Sequence, residues 1–94
     1  MSEYNGWTNY ATWNMNLWLD NTETLYRQKR AILETLYRPV SPFDVQMFCK
    51  SFMDNTTPDL QQGDYKDIDW QEIADNWEIE RLEIRDDDPG QYYG

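Results

Sequence analysis

Ninety-four residues fill one domain and leave no room for a second core, since single domains typically hold about 50 to 250 residues. No histidine and a single cysteine exclude an internal disulfide and remove the commonest metal ligand and general base. Eighteen acidic against eight basic residues give a net charge of −10, which repels nucleic acid and anionic membranes and attracts basic protein surfaces.

The acidity is local: residues 1–58 carry six acids and five bases, whereas residues 59–94 carry twelve acids and three bases. Domains of this size bury only roughly 60 to 65% of their unfolded surface, so each large apolar side chain counts. Five Trp, seven Tyr and three Phe can build a dense core without disulfide or metal. No apolar run approaches the roughly 18 residues that span a bilayer, and the N-terminus has no signal-peptide pattern, so a place in the host cell cytoplasm is expected.

Asn5-Gly6 predicts a turn at positive φ, after which Thr8 or Asn9 can cap a first helix over about 9–20. Tyr10, Trp13 and Leu17 share one face of it, with Ala11, Met15 and Trp18 opposite. Apolar on both sides, it fits the centre of a small bundle; Met15 and Trp18 could equally cover a second copy of the chain, which leaves a homodimer open. Asn21 or Thr22 can cap a second helix, 23–37, whose stripe holds Leu25, Ile32 and Leu36 with Tyr26, Leu33 and Tyr37. Its basic residues, Arg27, Lys29 and Arg30, are expected to be solvated or paired with the acidic half.

Pro39 ends that helix, and Ser41-Pro42-Phe43-Asp44 opens a third, 42–53, with a cap, a proline at the first helical position and an early acid. Val45, Phe48, Cys49 and Phe52 are expected on its inner face, Cys49 as a small core residue and not a nucleophile. A long loop, 54–67, follows, with one short helical turn at 58–62. Asp69-Trp70-Gln71-Glu72 reads as a capping box opening a fourth helix, 70–84, with Trp70, Ile73, Ala74 and Trp77 as its core stripe. The alternative ends that helix near Glu78 and makes 79–84 extended. The expected fold is therefore an all-α bundle of about four helices, a single domain over 1–85 with a flexible acidic tail, 86–94.

On the fourth helix, Glu72, Asp75, Glu83 and Asp86 fall within a sector of ~80° opposite Trp70 and Trp77, and Ile79 stands in its middle. A solvated acidic face is one meaning of that pattern. The other is an apolar contact ringed by charges suited to a basic partner, and Asp64, Asp67, Glu80, Asp87 and Asp88 extend the expected partner-binding set.

Catalysis needs a positioned nucleophile, base or metal, and no such constellation is present, so a non-enzyme is expected. Asp64, Asp67, Asp69 and Glu72 suggest calcium, but the glycine and the twelfth-position glutamate of a calcium loop are missing. Glycine-rich phosphate motifs are also missing, and neither cofactor nor metal is expected.

The string Tyr4-Asn5-Gly6-Trp7-Thr8-Asn9-Tyr10-Ala11-Thr12-Trp13 and the later block Ile68-Asp69-Trp70-Gln71-Glu72-Ile73-Ala74-Asp75-Asn76-Trp77 resemble, in the same order, a family of small proteins from bacteriophages, plasmids and bacteria. The resemblance implies a phage or mobile-element setting and no assigned reaction. Ala11 departs from the glutamate usual in that family, which removes a capping box with Thr8. The recurring Trp7, Tyr10, Trp13, Trp18, Trp70 and Trp77 read as two aromatic helices packed on each other.

Two functions compete. The first is an inhibitor of a host nucleic-acid-binding defence protein, of CRISPR-effector or restriction type, whose basic surface the acidic C-terminal half would occupy in place of nucleic acid. The second is an adaptor or structural module that recognises a protein through the aromatic N-terminal motif, with the acidity serving solubility. In neither does the chain bind nucleic acid or a membrane itself.

Overall fold

The computed structural model describes residues 4–53 and 57–87. It is an all-α bundle of four helices: α1 (Tyr10–Asn21), α2 (Glu23–Thr35), α3 (Pro42–Met53) and α4 (Trp70–Asp87), with a short 3-10 helix, Gln62–Asp67, before α4. α4 packs against each of the other three helices. Among the described residues no helix is long and apolar enough to cross a membrane.

Each helix starts where the local chemistry satisfies its free amides. Asn5 and Gly6 both sit at positive φ, +49° and +87°, so Tyr4 and Trp7 exchange two backbone hydrogen bonds across the turn. Asn9 Oδ1 then accepts from the Thr12 amide at 2.9 Å and opens α1. Thr22, a single extended residue, separates α1 from α2, and its side chain makes no capping bond. At α3, Ser41 and Asp44 pair reciprocally: the Asp44 amide donates to Ser41 Oγ and the Ser41 amide to Asp44 Oδ2. Arg38 grips the same carboxylate with two nitrogens at 2.8 Å and, with the Ser41 amide, holds its pKa at about 2.

At α4 the expected box closes only by half. The Glu72 amide donates to Asp69 Oδ1, but Glu72 Oε1 accepts from the Thr8 amide at 3.0 Å, and the Asp69 amide donates to Thr12 Oγ1 at 2.8 Å. Residues distant in sequence have replaced the local partner, joining the starts of α1 and α4. Thr12 is fully buried and also donates its hydroxyl proton to Asn9 Oδ1. Thr12→Val keeps the shape and strands the Asp69 amide; a loss of about 1–3 kcal/mol is expected, read as a lower urea midpoint at unchanged slope.

The core is built from Met15 and Leu19 of α1, Leu33 of α2, Val45, Phe48 and Cys49 of α3, and Ile73, Ala74 and Trp77 of α4. Trp77 meets Phe48 edge-on at 5.4 Å, so its aromatic partner comes from α3 and not from the N-terminal motif. The recurring aromatics thus do not form one helix-on-helix layer. Tyr4, Tyr10 and Trp13 stack among themselves with centroids 4.8–5.6 Å apart. Trp18 and the buried Asn14 instead hold Asp59 Oδ2, each at 3.0 Å, and Thr57 donates to Asn14 Oδ1. Part of the long loop is thereby tied to α1, and its helical turn lies at Gln62–Asp67 and not at 58–62.

The second helix stops at Thr35, two residues before the expected end. Arg85 reaches from α4 to the carbonyls of Leu33, Glu34 and Leu36, and Arg81 also donates to Leu36, so the free carbonyls at that end are met by guanidinium groups. Phe52, expected on the inner face of α3, is instead 46% exposed and lies against Phe48 at the rim. α4 is continuous through 79–84, which rules out the extended alternative, and it takes in Asp86 and Asp87, with which the tail was expected to begin. Asp88 and the remainder of that tail lie outside the described residues.

A candidate protein-binding face on α4

α4 is about 27 Å long at 1.5 Å per residue and carries opposite faces of different chemistry. Inward lie Ile73, Ala74, Trp77 and Arg81, all buried. Outward lie Asp75, Ile79, Leu82 and Glu83, all exposed, with Ile79 at 59%. Among the described residues no cation pairs with Asp75 or Glu83; Asp75 accepts one hydrogen bond, from its neighbour Gln71.

The charge of this face follows from where the arginines go. Arg81 bonds Glu78 through two nitrogens, 2.7 and 2.8 Å, which holds the Glu78 carboxyl below its ordinary range, with help from the Val40 amide. Arg85 is spent on α2 carbonyls and lies 4.2 Å over the Tyr37 ring. Both arginines of the acidic half therefore turn away from the outer surface, and among the described residues Asp75 and Glu83 make no ion pair.

The expected site residues divide accordingly. Asp75, Ile79 and Glu83 come together on the outer face, and Glu72 borders it while holding Thr8. Asp64 and Asp67 lie on the 3-10 helix, Asp64 as a local cap for the Gln61 amide and Asp67 with its backbone carbonyl bonded by Asn9. Glu80 departs most from the expectation. It turns inward, and its Oε1 sits 2.8 Å from the ammonium of Lys29, a residue only 1% exposed. Asp20 of α1 holds the same ammonium at 2.6 Å, and the Tyr26 ring lies 5.0 Å away. Burial alone would lower the Lys29 pKa, but the hydrogen bonds from its ammonium to Asp20 and Glu80 outweigh it and raise the value. Lys29 is thus a buried tie between α1, α2 and α4, and Arg30 completes the pairing with Glu80 at 3.7 Å. Asp86 and Asp87 belong to α4 by backbone, and Asp88 lies outside the described residues.

Two clefts flank Ile79 and share Asn76 as a wall. One lies against the N-terminal turn and is lined by Gly6, Trp7, Glu72 and Asp75; the other lies against α2 and is lined by Tyr26, Arg30, Glu80 and Glu83. Helical periodicity could have found Asn76, three residues before Ile79, but Trp7 and Tyr26 reach the site only through tertiary packing. A third groove, between α3 and the 3-10 helix, is lined by Phe43, Met47, Tyr65 and Trp70 with Lys50 and Lys66.

Cys49 is fully buried and burial pushes its thiol up to about 12, so a maleimide reagent at neutral pH should leave the native chain unlabelled and modify the unfolded chain. Among the described residues no group of three or more acidic or thiol side chains is placed to hold a metal ion.

No curated protein and no solved structure matches the chain. A family model described as a family of unknown function (DUF7249) matches residues 1–87, and the chain belongs to that family.

Proposed function

We propose that the chain is a non-catalytic inhibitor that binds a host nucleic-acid-binding defence protein, of CRISPR-effector or restriction type, and covers part of its basic surface with the outer face of α4. The observation that carries this reading is the segregation of charge on α4: Arg81 and Arg85 turn inward while Asp75 and Glu83 stand exposed around Ile79 and Leu82. The phage or mobile-element setting implied by the two sequence blocks selects a defence protein as the target.

Magnitudes limit the mode of competition. From Glu72 to Glu83 the face runs about 16 Å, a length over which duplex DNA carries about nine charges. Glu72, Asp75 and Glu83 are far fewer, so α4 is no extended phosphate replica. It acts as a local plug, in which carboxylates steer the encounter and Ile79 with Leu82 supply apolar contact.

The second reading, an adaptor, is favoured by one observation: Tyr4 and Tyr10 of the N-terminal motif remain exposed in their stack with Trp13. Affinity capture on the immobilised chain separates the two. Under the inhibitor reading the retained protein binds nucleic acid and elutes as added salt shortens the Debye length from about 10 Å to about 3 Å. Retention that is indifferent to salt and lost on Tyr10→Ala would replace it with the adaptor.

A further inference from the structure

The two clefts on either side of Ile79 define what a partner must present. Each holds two carboxylates and one aromatic residue, Glu72 and Asp75 with Trp7 in the first and Glu80 and Glu83 with Tyr26 in the second, where Glu80 is already paired with Lys29 and Arg30 and Glu83 is the carboxylate left to a partner. The second also contains Arg30, already committed to Glu80 and Glu34, so the first is the more negative. Between them rises an exposed isoleucine, with Leu82 one turn further on.

Apolar side chains on a ridge, with carboxylates in the hollows beside it, complement a helix that carries an apolar residue between two cations. Asp75 lies eight residues before Glu83, which is about 12 Å along α4. On a partner helix, residues seven apart share a face and lie about 10.5 Å from each other. We infer that this surface docks a basic amphipathic helix with cationic side chains at positions i and i+7 and an apolar residue at i+3 or i+4 set against Ile79. Arginine suits the first cleft better than lysine, because its planar guanidinium can face a carboxylate with two nitrogens and lie against an indole. The inference rests on the proposed binding role of α4 and adds the partner's secondary structure and charge spacing.

The test uses the full chain and synthetic helical peptides. One peptide places Arg at i and i+7 with Leu at i+4 on an Ala/Gln background; a second has the same composition with the two arginines on opposite faces. The spaced peptide should bind at least about tenfold more tightly, with amide shifts at Trp7, Asn76 and Ile79. Asp75→Asn, Glu83→Gln and Ile79→Ser, all at exposed positions, should each weaken it severalfold. Equal affinity for the two peptides, or shifts confined to the Phe43–Lys50 groove, would overturn the inference. Equal affinity with nucleic-acid competition retained would leave the inhibitor reading standing; spacing selectivity without competition would leave the docking site and remove the inhibitor.

Discussion

Replacing Lys29 with methionine is expected to cost about 3 kcal/mol or more, the largest effect of any single substitution of a charged residue in this chain. The ammonium is 1% exposed and sits between Asp20 and Glu80, so its removal leaves two carboxylates facing one another across an apolar contact. Asp20 can rehydrate in part, since its side chain is 37% exposed; Glu80, at 20%, keeps only the longer pairing with Arg30 at 3.7 Å. A chain of this length has a total stability of about 5–14 kcal/mol, so the variant loses a large share of it. Adding Glu80→Gln removes one of the stranded charges, and the double variant should be more stable than Lys29→Met alone, a coupling measurable by urea denaturation. The pH dependence has a definite sign. Lys29 ionises near 10.5 when unfolded and at a higher value when folded, so its contribution is complete below about pH 10 and disappears as pH rises through the folded value. Lys29→Met should lack that alkaline loss.

The second large effect concerns binding. Asp75→Lys with Glu83→Lys changes the charge of the outer face by four units at positions that make no ion pair among the described residues. With about 1.5 kcal/mol or more for each close charge pair across an interface, affinity for the basic partner should fall at least about a hundredfold, most steeply at low salt. Stability should stay within about 0.5 kcal/mol of the parent, because both side chains are solvated. Glu72 is left out of this variant deliberately, since it holds the Thr8 amide and its reversal would disturb the N-terminal turn as well.

Local chemistry was legible where one stretch of chain supplies both partners. Asn5-Gly6 at positive φ, Ser41-Pro42-Asp44 at the start of α3 and Cys49 in the core needed nothing from elsewhere. Glu72 and Arg85 find their partners 49 or more residues away, at the Thr8 amide and the carbonyls at the end of α2, and Arg81 adds a bond to Leu36, 45 residues away, to its local pairing with Glu78, so local sequence does not place them. Lys29 is the instructive case. It lies four residues from both Leu25 and Leu33 on the apolar side of α2, a position that signals burial; the expected pairing with the acidic half holds through Glu80, whereas the second carboxylate, Asp20 of α1, arrives by tertiary packing. On α4 the outer sector containing Asp75, Ile79 and Glu83 followed from helical periodicity, whereas the clefts beside it required Trp7 and Tyr26 to arrive from other elements.

Competition between this chain and nucleic acid for one partner shows whether the outer face of α4 occupies a surface that nucleic acid uses. With the captured partner purified, its affinity for labelled nucleic acid is measured as the concentration of this chain is increased. The apparent dissociation constant should rise linearly without saturating, and should not rise with the Asp75→Lys/Glu83→Lys variant. A ternary complex with nucleic-acid affinity unchanged would contradict a shared surface.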